Sequence, residues 1–102
     1  MNQHELFDVV ELLVDLPEDE FQAGVRGTIV ECYDNDAYEV EFSDSNGETL
    51  ALCTLSPEQF VIVWQAKTKS WLSLPEQITD VVKDLDTARQ KEVFKFARSL
   101  QG

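Results

Sequence analysis

The sequence predicts a mainly β chain with an α appendage: a small, strongly curved antiparallel barrel followed by a C-terminal αα-hairpin. Three observations carry this. Up to residue 65 the chain runs in short alternating stretches broken by turn residues. From residue 73 onward it changes to capped segments of helical period. The charge changes at the same place. Residues 1–66 hold fifteen Asp/Glu and a single base, Arg26, whereas residues 67–102 hold seven bases and five acids. The 102-residue chain, net charge −12, therefore divides into an acidic body (1–65), a linker (66–72) and an amphipathic helical hairpin (73–102).

In chain order, "LFDVVELLVDL" (6–16) is ambiguous. Leu6, Val9, Val10 and Leu13 fit a helical face, while three valines favour a strand. "PEDEFQAGVRG" (17–27) is a loop punctuated by Pro17, Gly24 and Gly27. "GTIVECY" (27–33) is a strand ended by the turn residues Asp34, Asn35 and Asp36. "AYEVEF" (37–42) sets Tyr38, Val40 and Phe42 on one face, with Glu39 and Glu41 on the other. Asn46-Gly47 makes a tight hairpin turn into "ETLALCTL" (48–55). That segment has little polarity on either face and reads as a central strand. "SPEQ" (56–59) is one helical turn, and "FVIVW" (60–64) is a last strand.

After the linker, Ser73 and Glu76 form a capping box with Pro75 in the first turn. Ile78, Val81, Val82 and Leu85 share the first helix's apolar face. Thr87 and Gln90 read as a second box, and Val93, Phe96, Ala97 and Leu100 line the second helix. Neither helix is long enough to be stable alone, so both apolar faces must dock.

Residues 6–64 resemble the bacterial family catalogued as domain of unknown function 4926. Its members run as a valine-rich strand, an Asp-Leu-Pro loop, a Gly-x-x-Gly-Thr strand and a Tyr-x-Val-x-Phe strand. An Asn/Asp-Gly turn and a Thr-Leu-rich strand follow. The resemblance implies an SH3-like barrel, makes the first stretch a strand, and implies no reaction. Residues 74–100, "LPEQITDVVKDLDTARQKEVFKFARSL", resemble the helical module of the domain of unknown function 2281 family, found in small antitoxin-like proteins. Leu85-Asp86 stands where that module has Leu-Pro.

The chain offers little for catalysis. His4 is the only histidine and is expected to be a surface residue near the N-terminus. Cys32 and Cys53 read as buried thiols, a cross-strand disulfide being the alternative, and neither has a local partner to activate it. Solvated carboxylates such as Glu39 and Glu41 are poor acids at neutral pH. No metal or cofactor is expected. In "DSNGE" (44–48) Gly47 arrives too early for a calcium loop, and turn geometry accounts for "DND" (34–36) as well. The longest apolar run, Phe60 to Trp64, is far short of the roughly 20 residues of a membrane helix. With no export signal visible, a cytoplasmic address is expected.

Nucleic acid is disfavoured too, because phosphate binding needs Lys and Arg and the body supplies only Arg26. On the second helix Lys91, Lys95 and Arg98 form a basic stripe opposite the apolar face, where a docked helix keeps solvated residues. The same stripe can meet the acidic body of a second copy, giving a homodimer through the C-terminal helices. The expectation is a non-enzymatic protein-binding module whose partner presents a basic surface, with an antitoxin- or immunity-like role as its specific form. Glu39, Glu41, Trp64, Trp71 and Phe94 are the candidate partner-binding residues. The tryptophans serve equally well to fasten the hairpin to the body. The rival readings are an accessory subunit of a larger enzyme complex and a nucleic-acid-binding regulator working through the tail.

Overall fold

The computed structural model describes residues 4–102. Six strands form one open antiparallel sheet: β1 (Val9–Leu12), β2 (Arg26–Tyr33), β3 (Ala37–Ser43), β4 (Thr49–Leu55), β5 (Phe60–Gln65) and β6 (Ser70–Trp71). Their order across the sheet is β4-β3-β2-β1-β5-β6. Two helices follow, α1 (Leu74–Val82) and α2 (Thr87–Ser99). The ambiguous first stretch is thus a strand. Short 3-10 turns occupy Pro17–Asp19 and Pro57–Gln59, the second held by a reciprocal Ser56–Gln59 capping box.

Alternation decides what is buried. Val10 and Leu12 of β1, Ile29 of β2, Tyr38, Val40 and Phe42 of β3, and Leu55, Phe60 and Ile62 form one core. Phe21, from the loop between β1 and β2, lies over Phe42 with ring centroids 4.7 Å apart. Asp8 is the one charged residue buried among those described, at 2% exposure. Its two carboxylate oxygens accept from the backbone N–H groups of Glu5 (3.1 Å) and Ala66 (2.9 Å), tying the N-terminal segment to the turn after β5. Those donors satisfy the carboxylate and make its burial tolerable.

Several expectations are corrected. The segment 48–55 was expected to be central, but β4 is an edge strand. Its sole ladder is with β3, because the chain leaves it through Pro57–Gln59 and returns on the far side, beside β1. On this strand Leu50 and Leu52, on the face away from the core, are 59% and 57% exposed. The expected linker contains β6 and the turn leading to it, with Trp71 paired to Trp64 and Lys69 in the left-handed region (φ 55°). Helix α2 is capped by Asp86 rather than Thr87. The Asp86 carboxylate accepts from the Arg89 backbone N–H at 2.8 Å and from the Arg89 guanidinium at 2.7 Å. Gln90, freed from a capping role, donates its side-chain amide to the Val82 carbonyl at 2.9 Å and fastens α2 to α1.

The Ser73–Glu76 box forms as expected, and the Ser73 backbone N–H holds the Glu76 carboxyl below its ordinary pKa. Both cysteines are free, as the favoured reading had it, but neither is fully buried: Cys32 is exposed and Cys53 is half-buried against the core. Burial pushes the Cys53 thiol up to about 11, helped by its hydrogen bond to Asp19 at 3.3 Å. A thiol so held is a weak nucleophile at neutral pH.

His4 is not an idle surface residue. Its ring packs edge-on against Tyr38 and Phe60, each at 5.1 Å, beside a groove between α1 and the sheet. Desolvation there lowers its pKa from 6.5, against the opposing pull of Asp80, Asp36 and Asp8, while Lys83 pushes the same way as burial. A lowered folded pKa means the unfolded chain takes up the proton first. The stabilisation is therefore complete above pH 6.5 and is lost as pH falls below it. His4→Phe should gain stability relative to the parent as pH drops from about 7.5 to about 5, read as a widening gap in urea midpoints. A gap that does not change with pH would contradict this account of His4.

Candidate interaction face

One residue row crosses all six strands on the face away from the core. The register pairs Leu52 with Glu41, Glu41 with Thr28, Thr28 with Val9, Val9 with Trp64, and Trp64 with Trp71. The candidate residues of the body therefore belong to one surface, acidic at the β4 end and aromatic at the β6 end. Phe94 lies apart from it on α2, 64% exposed, with the Arg98 guanidinium 5.5 Å from its ring centroid.

At the acidic end, Glu39 accepts from the Thr54 hydroxyl at 2.7 Å and from the Tyr33 hydroxyl at 3.3 Å. Glu41 accepts from the Thr49 hydroxyl. These contacts fix the two carboxylates while leaving their charge unneutralised. Glu31 stands directly opposite Glu39 in the β2–β3 ladder, a like-charge cross-strand pair that costs stability. Glu31→Lys should therefore raise the stability of the isolated chain by roughly 0.2–1 kcal/mol. An unchanged urea midpoint would show that the pair carries no repulsion.

The body's only base is already engaged. Arg26 Nε lies 3.1 Å from Glu11 Oε1, and its guanidinium stacks 5.5 Å from the Trp71 ring centroid. Its contacts are with Glu11 and Trp71, toward the aromatic end of the row.

The missed feature is β4 itself. A sheet edge presents unpaired backbone N–H and C=O groups, and proteins commonly protect such edges with charge or proline. The sequence Thr49-Leu50-Ala51-Leu52-Cys53-Thr54-Leu55 has neither. The Asn46-Gly47 turn signals that β4 lies beside β3, but its other neighbour depends on where the chain goes after Leu55. No local pattern carries that information. Among the described residues, no group of three or more His, Cys, Asp or Glu is arranged to hold a metal ion. No helix among them is long and apolar enough to cross a membrane.

In comparison with known proteins, the model of a family described as domain of unknown function (DUF4926) matches residues 6–62, which span β1 to the first half of β5. No curated protein and no solved structure matches the chain.

Proposed function

The chain belongs to the DUF4926 family, and from that premise we propose that it is a non-enzymatic binding module whose outer sheet face receives a basic polypeptide. The observation that carries the reading is the acidic end of that face: Glu31, Glu39 and Glu41 lie beside an uncharged strand edge flanked by Leu50 and Leu52. A cationic partner gains long-range attraction to the carboxylates, whereas a polyanion is repelled. The open edge adds main-chain hydrogen bonds, the means by which extended peptides join exposed sheets.

In the same reading the sheet coils as an SH3-like barrel. Register shifts in the β1–β5, β2–β3 and β3–β4 ladders support this, because bulges add the twist that a small barrel needs. The specific role we favour is antitoxin- or immunity-like, the acidic face covering a basic, nucleic-acid-handling site on its partner. An adaptor subunit in a larger complex is the second reading, favoured by the separate apolar surface of α2.

The test is capture from native lysate with the full-length chain as bait, at low and high salt. The proposal expects a basic protein retained in fixed stoichiometry and released as salt rises. Retention of RNA or DNA instead, or of no protein above background, would overturn it.

A further inference from the structure

We infer that the β4 edge extends the six-stranded sheet by one more strand, an extended segment with Lys or Arg at every second position whose stems lie across Leu50 and Leu52. The inference rests on the proposed basic partner and states the form in which that partner docks. The only ladder of β4 is with β3, and among the described residues Thr49–Leu55 make no backbone hydrogen bond outside it. The N–H and C=O groups of every second residue therefore face outward, as strand geometry requires. Neither charge nor proline guards that row. Alternation sorts the side chains. Leu50, Leu52 and Thr54 stand exposed on the outer face, whereas Ala51 and Cys53 are half-buried and Leu55 is buried on the inner one.

Register sets the acids directly behind this edge. Glu41 is paired with Leu52, and Glu39 with Thr54. The ion pairs among the described residues lie elsewhere, at Glu11, Asp80 and Asp86, so these two carboxylates keep their charge. A strand added beside β4 lies two strand spacings from β3, about 10 Å. A lysine or arginine opposite Leu52 spans that gap, its methylene stem covering the leucine and its charged head reaching Glu41. The residue two positions along stands opposite Thr54 and reaches Glu39 in the same way. The acids thus select cations at alternate positions of an extended chain. The side chain between them points to the inner face beside Ala51 and Cys53, where an apolar residue extends the core. A second copy does not supply such a segment. Lys67 and Lys69 have the spacing, but they lie in the turn between β5 and β6, with Lys69 in the left-handed region (φ 55°).

Titration of the full chain with fluorescent peptides, read by anisotropy, tests it. The parent peptide alternates lysine with valine. A second has the same composition in Lys-Lys-Val-Val order. Two more keep the parent order and carry backbone N-methyl groups, one on every lysine and the other on every valine. In a paired strand only one of those two sets of amides faces β4. One methylated form is therefore expected to bind about tenfold or more weakly while the other binds as the parent does. The Lys-Lys-Val-Val peptide should lose about as much, roughly tenfold, because its cations no longer share one face. Leu52→Lys alters an exposed side chain, so circular dichroism should stay unchanged while parent binding weakens. Methylated forms of equal affinity, or a Lys-Lys-Val-Val peptide that binds as the parent does, would overturn the inference and leave the basic-partner reading standing. No binding by any of the four would overturn both.

Discussion

Gly27→Ala is expected to destabilise the chain by about 3 kcal/mol, at the upper end of what overpacking a core costs. A Cβ at Gly27 would lie 2.7 Å from Val40 Cγ1, 2.9 Å from Phe42 Cε1 and 2.9 Å from the Glu41 carbonyl oxygen. Val40 and Phe42 are core side chains with essentially no exposure, and the third atom is backbone in the neighbouring strand. No flexible side-chain end is available to move aside. Relief requires prising β2 from β3, the strand that supplies Tyr38, Val40 and Phe42 to the core. Domains are commonly stable by only about 5–15 kcal/mol, so this one substitution removes a large share. Urea unfolding should show a much lower midpoint with an unchanged slope. Gly47→Ala is the control. Its added Cβ meets nothing within 4 Å, and only the left-handed backbone (φ 83°) resists it, at roughly 1–2 kcal/mol. Equal losses at the two glycines would refute the close-approach argument.

The second large effect concerns binding. Glu39→Lys combined with Glu41→Lys should weaken retention of a basic partner roughly a hundredfold or more, since like charges brought together at an interface cost several kcal/mol. Both residues are half-exposed on β3 and take no part in the core, so the variant should still fold. The lost Thr54, Thr49 and Tyr33 hydrogen bonds are to exposed hydroxyls, which water can satisfy. Most of the loss should appear at low salt and shrink as salt screens the face. Affinity unchanged by the double reversal would place the partner elsewhere. Glu31→Lys makes a useful companion, because it should stabilise the fold while weakening the same contact. Opposite signs in the two readouts mark a carboxylate retained for binding at the expense of stability.

Periodicity and turn chemistry made much of this architecture readable. Tyr38, Val40 and Phe42 alternate with Glu39 and Glu41, and that pattern alone fixes which face is buried. Ser73, Pro75 and Glu76 announce α1 through capping physics confined to one turn. What escaped the sequence was non-local. β4 is apolar on both faces, a pattern that suits a central strand, and only the route taken after Leu55 leaves it on an edge. The placement of His4 against Tyr38 and Phe60 joins residues more than thirty positions apart. At the second cap, Asp86 and Thr87 are adjacent and both are good caps, so composition could not choose between them. Asp86 alone accepts from the Arg89 backbone N–H while pairing with its guanidinium. Of the candidate residues, Glu39 and Glu41 could be assigned a shared face from alternation. That the same row reaches Trp64 and Trp71 depended on the pairings of β1 with β2 and β5.

Backbone amide NMR of the full chain, titrated with a soluble peptide of alternating lysine and valine, tests the central claim most directly. Shift changes are predicted along Thr49–Leu55 and at Glu31, Glu39 and Glu41, saturating with added peptide and fading with salt. Changes confined to α2, or an RNA oligonucleotide that perturbs the β4 edge where the peptide does not, would contradict it.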